Sequence, residues 1–387
     1  MSRNLQYDAI IAGAGIVGAS IAWHAARKGL KIAIIDASGP AAAASGASDG
    51  AVSVATKRPG VMAALAGASL SYCADLAEQA QVLNGVFHTR PSYLFARIDA
   101  EAEALDRLTE MLSDQGLPVD VMRDGVAENS SVPGLGESVA RVLELSGEGH
   151  MLGYEATRAF LEASGAEGHW PCRLDAFETT KDGVILKTSA GEMRADRLVL
   201  ATGMGTANLM PDLPLMARSG QLIITDRVVG NDWPGLPGPL TSAAYLLDKT
   251  ARALPETLAP VVIDPLATGQ LLIGSSREGG GTEDQTDFHM ARRILISGVA
   301  SLPALARRRV IRVFAGVRTA TGDGFPIVGE LPDMPNVFLA TGFEGDGIGL
   351  APLIGREVAG MLTGEGAMAE VNALSPMRFT RQKVASR

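Results

Sequence analysis

Near its start the chain reads YDAIIAGAGIVGASIAWHAARKGLKIAIID, residues 7–36, and few folds accommodate that order of residues. Residues 7–12 make a short apolar run suited to a buried parallel strand. Gly13, Gly15 and Gly18 follow in G-x-G-x-x-G spacing. Gly13 permits a tight turn, Gly15 lets a pyrophosphate approach the backbone, and Gly18 lets the next helix pack on the strand. A helix over about 16–28, opening at Ile16, points its unpaired N–H groups and positive dipole end at that phosphate. A second strand over 31–35 ends in Asp36, roughly twenty residues past the first glycine, where a carboxylate accepts hydrogen bonds from a ribose diol. The same carboxylate would repel a 2′-phosphate, which argues against NADP. The expectation is a βαβ dinucleotide-binding unit.

The 387 residues suffice for two domains or one large discontinuous one, and 47% hydrophobic against 20% charged residues supply a large core. A net charge of −9 without a long basic block argues against a nucleic-acid partner. No run of eighteen apolar residues suggests a membrane span, and MSRNLQYD carries no secretory h-region. Cys73 and Cys172 are the only cysteines and the five histidines are scattered. A reduced, cytoplasmic setting follows, with no metal site and no iron–sulfur cluster built by this chain alone.

Past Asp36, residues 37–60 are small and glycine-rich. Helical spacing marks 61–82, 98–115 and 153–164, strand character marks 86–96, and 118–148 reads as loops with short elements. Residues 172–203 read as a strand meander with turns at Lys181-Asp182-Gly183 and Ala190-Gly191, and 218–315 as β-rich. RADRLVLATGMG (194–205) is an apolar strand ending in small residues that let backbone pass over a flat or phosphorylated ligand. NVFLATGFEGDGIGLAP (336–352) repeats the idea, with a glycine-rich turn opening a helix whose N–H groups suit an anionic edge.

The N-terminal βαβ unit, the ATG strand near residue 201 and the closing AGVRTATGDGFPIVG…VFLATGFEGDGIGLAP together resemble the D-amino-acid oxidase superfamily of FAD enzymes. Within it the chain is most similar to the glycine oxidase and sarcosine oxidase β-subunit branch. The resemblance implies an α/β fold with a Rossmann-like FAD-binding domain, from 1–85, 146–217 and 316–375. It implies a β-rich (α+β) substrate-binding domain from 86–145 and 218–315, and a C-terminal tail over 376–387.

By that resemblance Gly13, Gly15 and Gly18 hold the FAD pyrophosphate and Asp36, where many relatives have glutamate, the adenosine ribose. ASGASDGAVS matches the loop near the flavin, so Ser45, Ser48, Asp49 and Gly50 belong to the cofactor site; relatives often carry asparagine at Asp49. A carboxylate there would disfavour an anionic reduced flavin. Thr202 and Gly203 match the FAD-binding strand end, and Gly345, Asp346, Gly347, Ile348 and Gly349 the loop over the flavin pyrimidine; Phe343 stands where many relatives have histidine.

Arg318 matches the arginine of the family's G-L/V-R-P motif, which pairs with the substrate α-carboxylate, with Thr319 in place of proline. A planar guanidinium holds a carboxylate bidentately and fixes the Cα–H at the flavin. Tyr245 and Arg277 are further substrate-site candidates, Arg277 equally a partner for Glu278 or another acid. With no cysteine in the C-terminal motifs, the FAD is expected to be non-covalent.

The resemblance extends to the β-subunits of heteromeric opine oxidases and hydroxyproline dehydrogenases. It implies oxidation of a C–N bond next to a carboxylate, beside a larger flavin or NAD-type subunit and a small iron–sulfur subunit that would supply a second flavin or a cluster. Alternatives are a free-standing glycine or D-amino-acid oxidase using oxygen, a non-catalytic FAD-binding subunit, and an NAD-dependent dehydrogenase with a similar βαβ unit.

Overall fold

The computed structural model describes residues 7–57, 59–114, 120–124, 132–228, 235–248, 260–279 and 285–379. In chain order the chain forms β1 (Tyr7–Ala12), α1 (Ile16–Arg27), β2 (Ile32–Ile35), β3 (Ala51–Val52), α2 (Val61–Glu78), β4 (His88–Ala96), α3 (Asp99–Asp114), β5 (Asp120–Asp124) and β6 (Arg141–His150). There follow α4 (Gly153–Ser164), β7 (Glu167–His169), β8 (Leu174–Thr180), β9 (Gly183–Thr188), β10 (Gly191–Leu200), α5 (Gly205–Leu209), β11 (Leu215–Thr225), β12 (Leu240–Ser242) and α6 (Ala244–Asp248). The last part holds β13 (Val262–Pro265), β14 (Leu271–Gly274), β15 (Glu278–Gly279), α7 (Phe288–Ser301), β16 (Val310–Thr321), β17 (Ile327–Leu331), β18 (Met334–Thr341), α8 (Gly347–Leu362) and α9 (Ala369–Asn372).

One sheet runs β17-β18-β10-β1-β2-β7, with β9 paired to β10 and β8 to β9. The strands β18, β10, β1, β2 and β7 are mutually parallel. Successive residues of β1 serve two apolar layers. Ala9 and Ile11 face α1 and α8 through Ile21, Ala22, Leu353 and Ile354, while Ile10 and Ala12 face Leu174, Val184 and Leu186 of β8 and β9. A strand covered on both sides needs the continuous apolar run seen in the sequence. Each large aliphatic side chain so buried contributes about 1.5–3 kcal/mol. Helices α1 and α8 approach closely: a Cβ on Gly355 would lie 2.2 Å from Ser20 Oγ.

The second sheet runs β15-β11-β14-β13-β12-β4-β6-β3, with β16 on β11 and β5 on β6. Tyr93 and Phe95 of β4 face a core with Ile223, Ile273 and Ile294 of α7. Leu94 and Ala96, one residue out of phase, pack with Leu105, Leu108 and Leu112 of α3. The chain therefore has the expected fold class, a Rossmann-like α/β unit beside a β-rich one. The sequence boundaries at 145/146, 217/218 and 315/316 fall inside β6, β11 and β16, so strands run continuously across them.

Two expectations change. The stretch 118–148 contributes most of a ten-residue strand, β6, besides loops; its residues 118–119 and 125–131 lie outside the described residues, as do 380–387 of the expected tail. Pairing with β4 makes this strand despite its Ser-Gly-Glu-Gly composition, and the ladder slips between Arg90 and Ser92, where Pro91 lacks a donor. The region 218–315 also holds the fourteen-residue helix α7. Its N-cap Asp287 accepts from the amides of His289 (2.8 Å) and Met290 (3.1 Å), and Ala291 and Ile294 bury one face.

On α1, His24 is buried with Trp23 and Phe160 around it. Its Nδ1 donates to the Ser20 carbonyl at 2.8 Å, so the neutral ring accepts at Nε2 from the Tyr72 hydroxyl at 2.8 Å. Burial pushes this imidazole down to about 4. Above the ordinary value near 6.5 the native state loses nothing; as pH falls, the unfolded chain takes up a proton that the native chain refuses. Stability linked to His24 is thus lost between about pH 6.5 and 4, to a total of about 3 kcal/mol. Urea midpoints of the wild type should fall more steeply across that window than those of His24→Gln; parallel curves would show that another group carries the pH dependence.

Candidate active site

Loops 13–15, 201–204 and 342–346 leave β1, β10 and β18 at the same carboxyl edge of the parallel sheet, where open α/β sheets bind ligands. The first turn is held by backbone contact. Gly13 has φ +109°, and a Cβ there would lie 2.3 Å from the Ala201 carbonyl oxygen. A Cβ on Gly18 would lie 1.9 Å from the carbonyl oxygen of Gly13. Gly15 is the N-cap of α1 and faces a cavity of about 300 Å³. Ser45 Oγ accepts from Ile16 N at 3.0 Å, and the Ser48 hydroxyl donates to the Ser45 carbonyl at 3.1 Å.

The cavity wall takes in Gly15, Ile16, Ser45, Ser48, Asp49, Gly203, Gly345, Asp346, Gly347 and Ile348, together with Tyr245, Arg277 and Arg318. Gly13, Gly18, Asp36, Gly50, Thr202 and Gly349 do not line it. They shape its surroundings: Gly50, at φ +80°, backs onto His150 and Met151, and the Thr202 hydroxyl meets that of Thr206 at 2.9 Å. A Cβ on Gly349 would sit 3.4 Å from Val52. Asp36 accepts from the amides of Ala14 (2.9 Å), Ser38 (2.8 Å) and Gly39 (2.8 Å), so three of its roughly four acceptor positions serve the backbone.

Asp346 sits at the N-cap of α8 and its carboxylate pairs with Lys57. Glu344, with φ +49°, donates its amide to the Thr319 carbonyl at 2.8 Å, and its carboxylate pairs with Arg218 at 2.7 Å. Glu148, buried in the wall, accepts from the amides of Val54 (3.1 Å) and Ala55 (2.9 Å).

The arginine side is built by β11 and β16. Their register sets Arg218 opposite Arg318 and Gly220 opposite Gly316. A Cβ on Gly220 would fall 2.6 Å from Arg318 Nη1, and one on Gly316 2.6 Å from the Ala47 Cβ. Both glycines therefore leave space, one for the guanidinium and one for the 44–48 loop. Arg318 Nη2 donates to Ser275 Oγ at 3.0 Å and Nη1 to the Ser276 carbonyl at 3.2 Å. The Tyr245 hydroxyl donates to the Ser275 carbonyl and accepts from the Ser275 amide at 2.8 Å. Burial raises its phenol, against those hydrogen bonds and the Arg318 charge, so it stays protonated. Arg277 lies over the Tyr245 ring, 5.8 Å from its centroid.

Residues 8–361 match the DAO family, described as FAD dependent oxidoreductase. The chain belongs to this family. Glycine oxidase of Bacillus licheniformis is 25% identical, aligning 94% of this chain with 95% of its own. One of the opine oxidase subunits of Rhizobium meliloti is 26% identical over 86% of this chain and 88% of its own. The solved structure of glycine oxidase from Geobacillus kaustophilus superposes with a TM-score of 0.83 at 22% identity, covering 95% of this chain and 98% of that one. No helix of the described residues is long and apolar enough to cross a membrane.

FAD is the family's cofactor, and the residues present fit it. The turn at Gly15 leaves the space a side chain would fill, a Cβ there coming 3.0 Å from Ser45 Oγ, and the amino end of α1 opens onto it. Such a cradle suits a diphosphate. Sequence reasoning passed over Lys57, Gly220, Gly316, Ser275 and Glu148. For the two glycines a signal existed, since a lone glycine within an apolar strand marks a close approach. Replacing Gly15 by Leu should yield folded protein with flavin well below one equivalent, read from the ratio of flavin to protein absorbance. Full flavin content would place the diphosphate elsewhere.

Proposed function

We propose that this oxidoreductase removes a hydride from the carbon between an amine nitrogen and a carboxylate of an amino acid, most suitably a secondary amine such as an opine or hydroxyproline. It acts as the catalytic β-type subunit of a heteromeric dehydrogenase. The observation that carries the reading is Arg318: a guanidinium braced by Ser275 and Ser276, facing the same cavity as the glycine turn and the 345–348 loop. FAD, when bound, would supply the acceptor for the hydride, which carries both electrons.

The chain's own residues do the rest. In this reading Gly15 and the α1 amino end would hold the diphosphate, in a turn shaped by the close packing of Gly13 and Gly18, and Asp36 would offer its remaining acceptor position to the ribose. Ser45, Ser48, Asp49, Gly203 and residues 345–348, which line the cavity, would hold the flavin. Arg318 takes the substrate carboxylate in its fork and so fixes the neighbouring C–H. Tyr245 positions Ser275, which positions Arg318. The neutral amine loses its hydride from carbon and its proton to water, giving an imine; water then adds and releases a 2-oxo acid and an amine. The matches to opine oxidase subunits support a partner protein as electron acceptor. A second reading, a free-standing glycine oxidase passing electrons to oxygen, is supported by the glycine oxidase relatives.

Anaerobic mixing of flavin-loaded protein with amino acids tests the proposal, bleaching by secondary amino acids being expected. Peroxide formed from glycine by the chain alone would favour the second reading, and no bleaching by any amino acid would favour a non-catalytic role. Arg318→Met should lower kcat/KM by roughly ten- to a hundredfold or more, the loss of charged hydrogen bonds. Gly220→Ala, which intrudes on Nη1, should act in the same direction through KM. Unchanged KM in both would remove Arg318 from the carboxylate site.

A further inference from the structure

Resting on the reading of a bound dinucleotide above, we infer that the indole of Trp170 supplies the seat of its adenine ring. Three neighbouring strands of the parallel sheet end side by side in the order β1, β2, β7. The glycine turn follows β1, Asp36 follows β2 and Trp170 follows β7. In the register of the last pair Ile35 lies opposite His169, so Trp170 falls opposite Asp36. Two backbone hydrogen bonds hold this end in place. The Asp36 amide donates to the His169 carbonyl at 3.1 Å, and the Cys172 amide to the Asp36 carbonyl at 2.6 Å. The adenosine half of a dinucleotide has the same order: diphosphate, ribose, base. With the first two at the ends of β1 and β2, the base falls at the end of β7.

The indole has a built place. A Cβ on Gly168 of β7 would lie 2.1 Å from its Cη2 and 2.3 Å from its Cζ3. Gly168 is not in the left-handed region, so the ring, and not the backbone, is what excludes a side chain there. The other edge of the ring reaches the Asp36 turn: Cδ1 lies 3.8 Å from the place of a Cβ on Gly39, whose amide donates to Asp36. Seated in this way, the residue keeps 42% of its surface exposed. A glycine inside a strand marks a close approach, and here it makes room for an aromatic ring beside the ribose acceptor. A purine needs only the π-face of such a ring to stack. The glycine turn and Asp36 read the polar part of the dinucleotide; Trp170 adds the contact that separates FAD from FMN, which has no adenosine.

The test titrates the full chain, freed of flavin, with FAD, FMN and ADP; ADP carries the adenosine and diphosphate without the flavin. Trp170→Leu should raise the dissociation constants of FAD and ADP by about fivefold or more, the loss of one base–aromatic stack, and leave that of FMN unchanged. Trp170→Phe, which keeps a ring, should restore most of the affinity. Of the three tryptophans, Trp23 is buried and Trp233 lies outside the described residues. Fluorescence is therefore compared between the wild type and Trp170→Phe: ADP should quench the first, and most of that quenching should be lost in the second. Circular dichroism confirms that each variant is folded, and the fluorescence comparison decides if the leucine variant is not. Equal binding of FAD and ADP by wild type and variants, or equal quenching, makes the indole a cover on β7 and overturns the inference while leaving the flavin reading standing. Weakening of FMN as large as that of FAD does the same. Failure of the wild-type chain to bind FAD overturns the dinucleotide reading itself, and the inference with it.

Discussion

Backbone stands where side chains would otherwise be at the carboxyl edge of the parallel sheet. The Ala201 carbonyl lies 2.3 Å from the place of a Gly13 Cβ, and the Gly13 carbonyl 1.9 Å from that of a Gly18 Cβ. At those separations no side chain fits, so the turn, the end of β10 and the start of α1 form one piece. The same closeness recurs where α8 crosses α1 at Gly355 and Ser20. The position of α1's amino end, and therefore of the cavity, follows from these contacts between small residues. The large apolar side chains behind them supply stability more than placement.

A second set of close approaches shapes the arginine side of the cavity. Gly316 admits the 44–48 loop against β16, and Gly220 admits the guanidinium of Arg318, two residues along the same strand from Gly316. Because β16 and β11 are long and paired along their whole length, the arginine stands on a rigid ladder rather than on a loop. A charged group can be fixed opposite a cofactor cradle only if its own support is fixed. Here Ser275, Ser276 and Tyr245 provide that support from the neighbouring strand end.

Much of this was legible in the residues. The βαβ unit, the helices at 61–78 and 153–164 and the order of the last strands agree with periodicity and turn chemistry, because each is dictated by local pattern. β6 and α7 were not legible in that way. The first is a strand because β3, β4 and β5 pair with it, and the second was hidden by a β-rich neighbourhood, although Asp287 and the spacing of Ala291 and Ile294 marked it. Among site residues, Asp36 turned out to serve three backbone amides as well as standing at the strand end, and the Tyr245 hydroxyl is committed to Ser275. Neither commitment leaves a trace in spacing.

The order of residues along the chain was enough for the family, the parallel sheet with its glycine turn, and the types of residue available to a cofactor and a carboxylate. These depend on short-range pattern, where a glycine, an alternation or a strand-ending acid has one physical meaning. Which of those residues share a wall was left to the folded chain. Arg318 faces Ser275, forty-three positions away, and Lys57 meets Asp346 across 289, because sheet register and helix crossing set those distances. Register is a property of paired strands, and no single strand carries it.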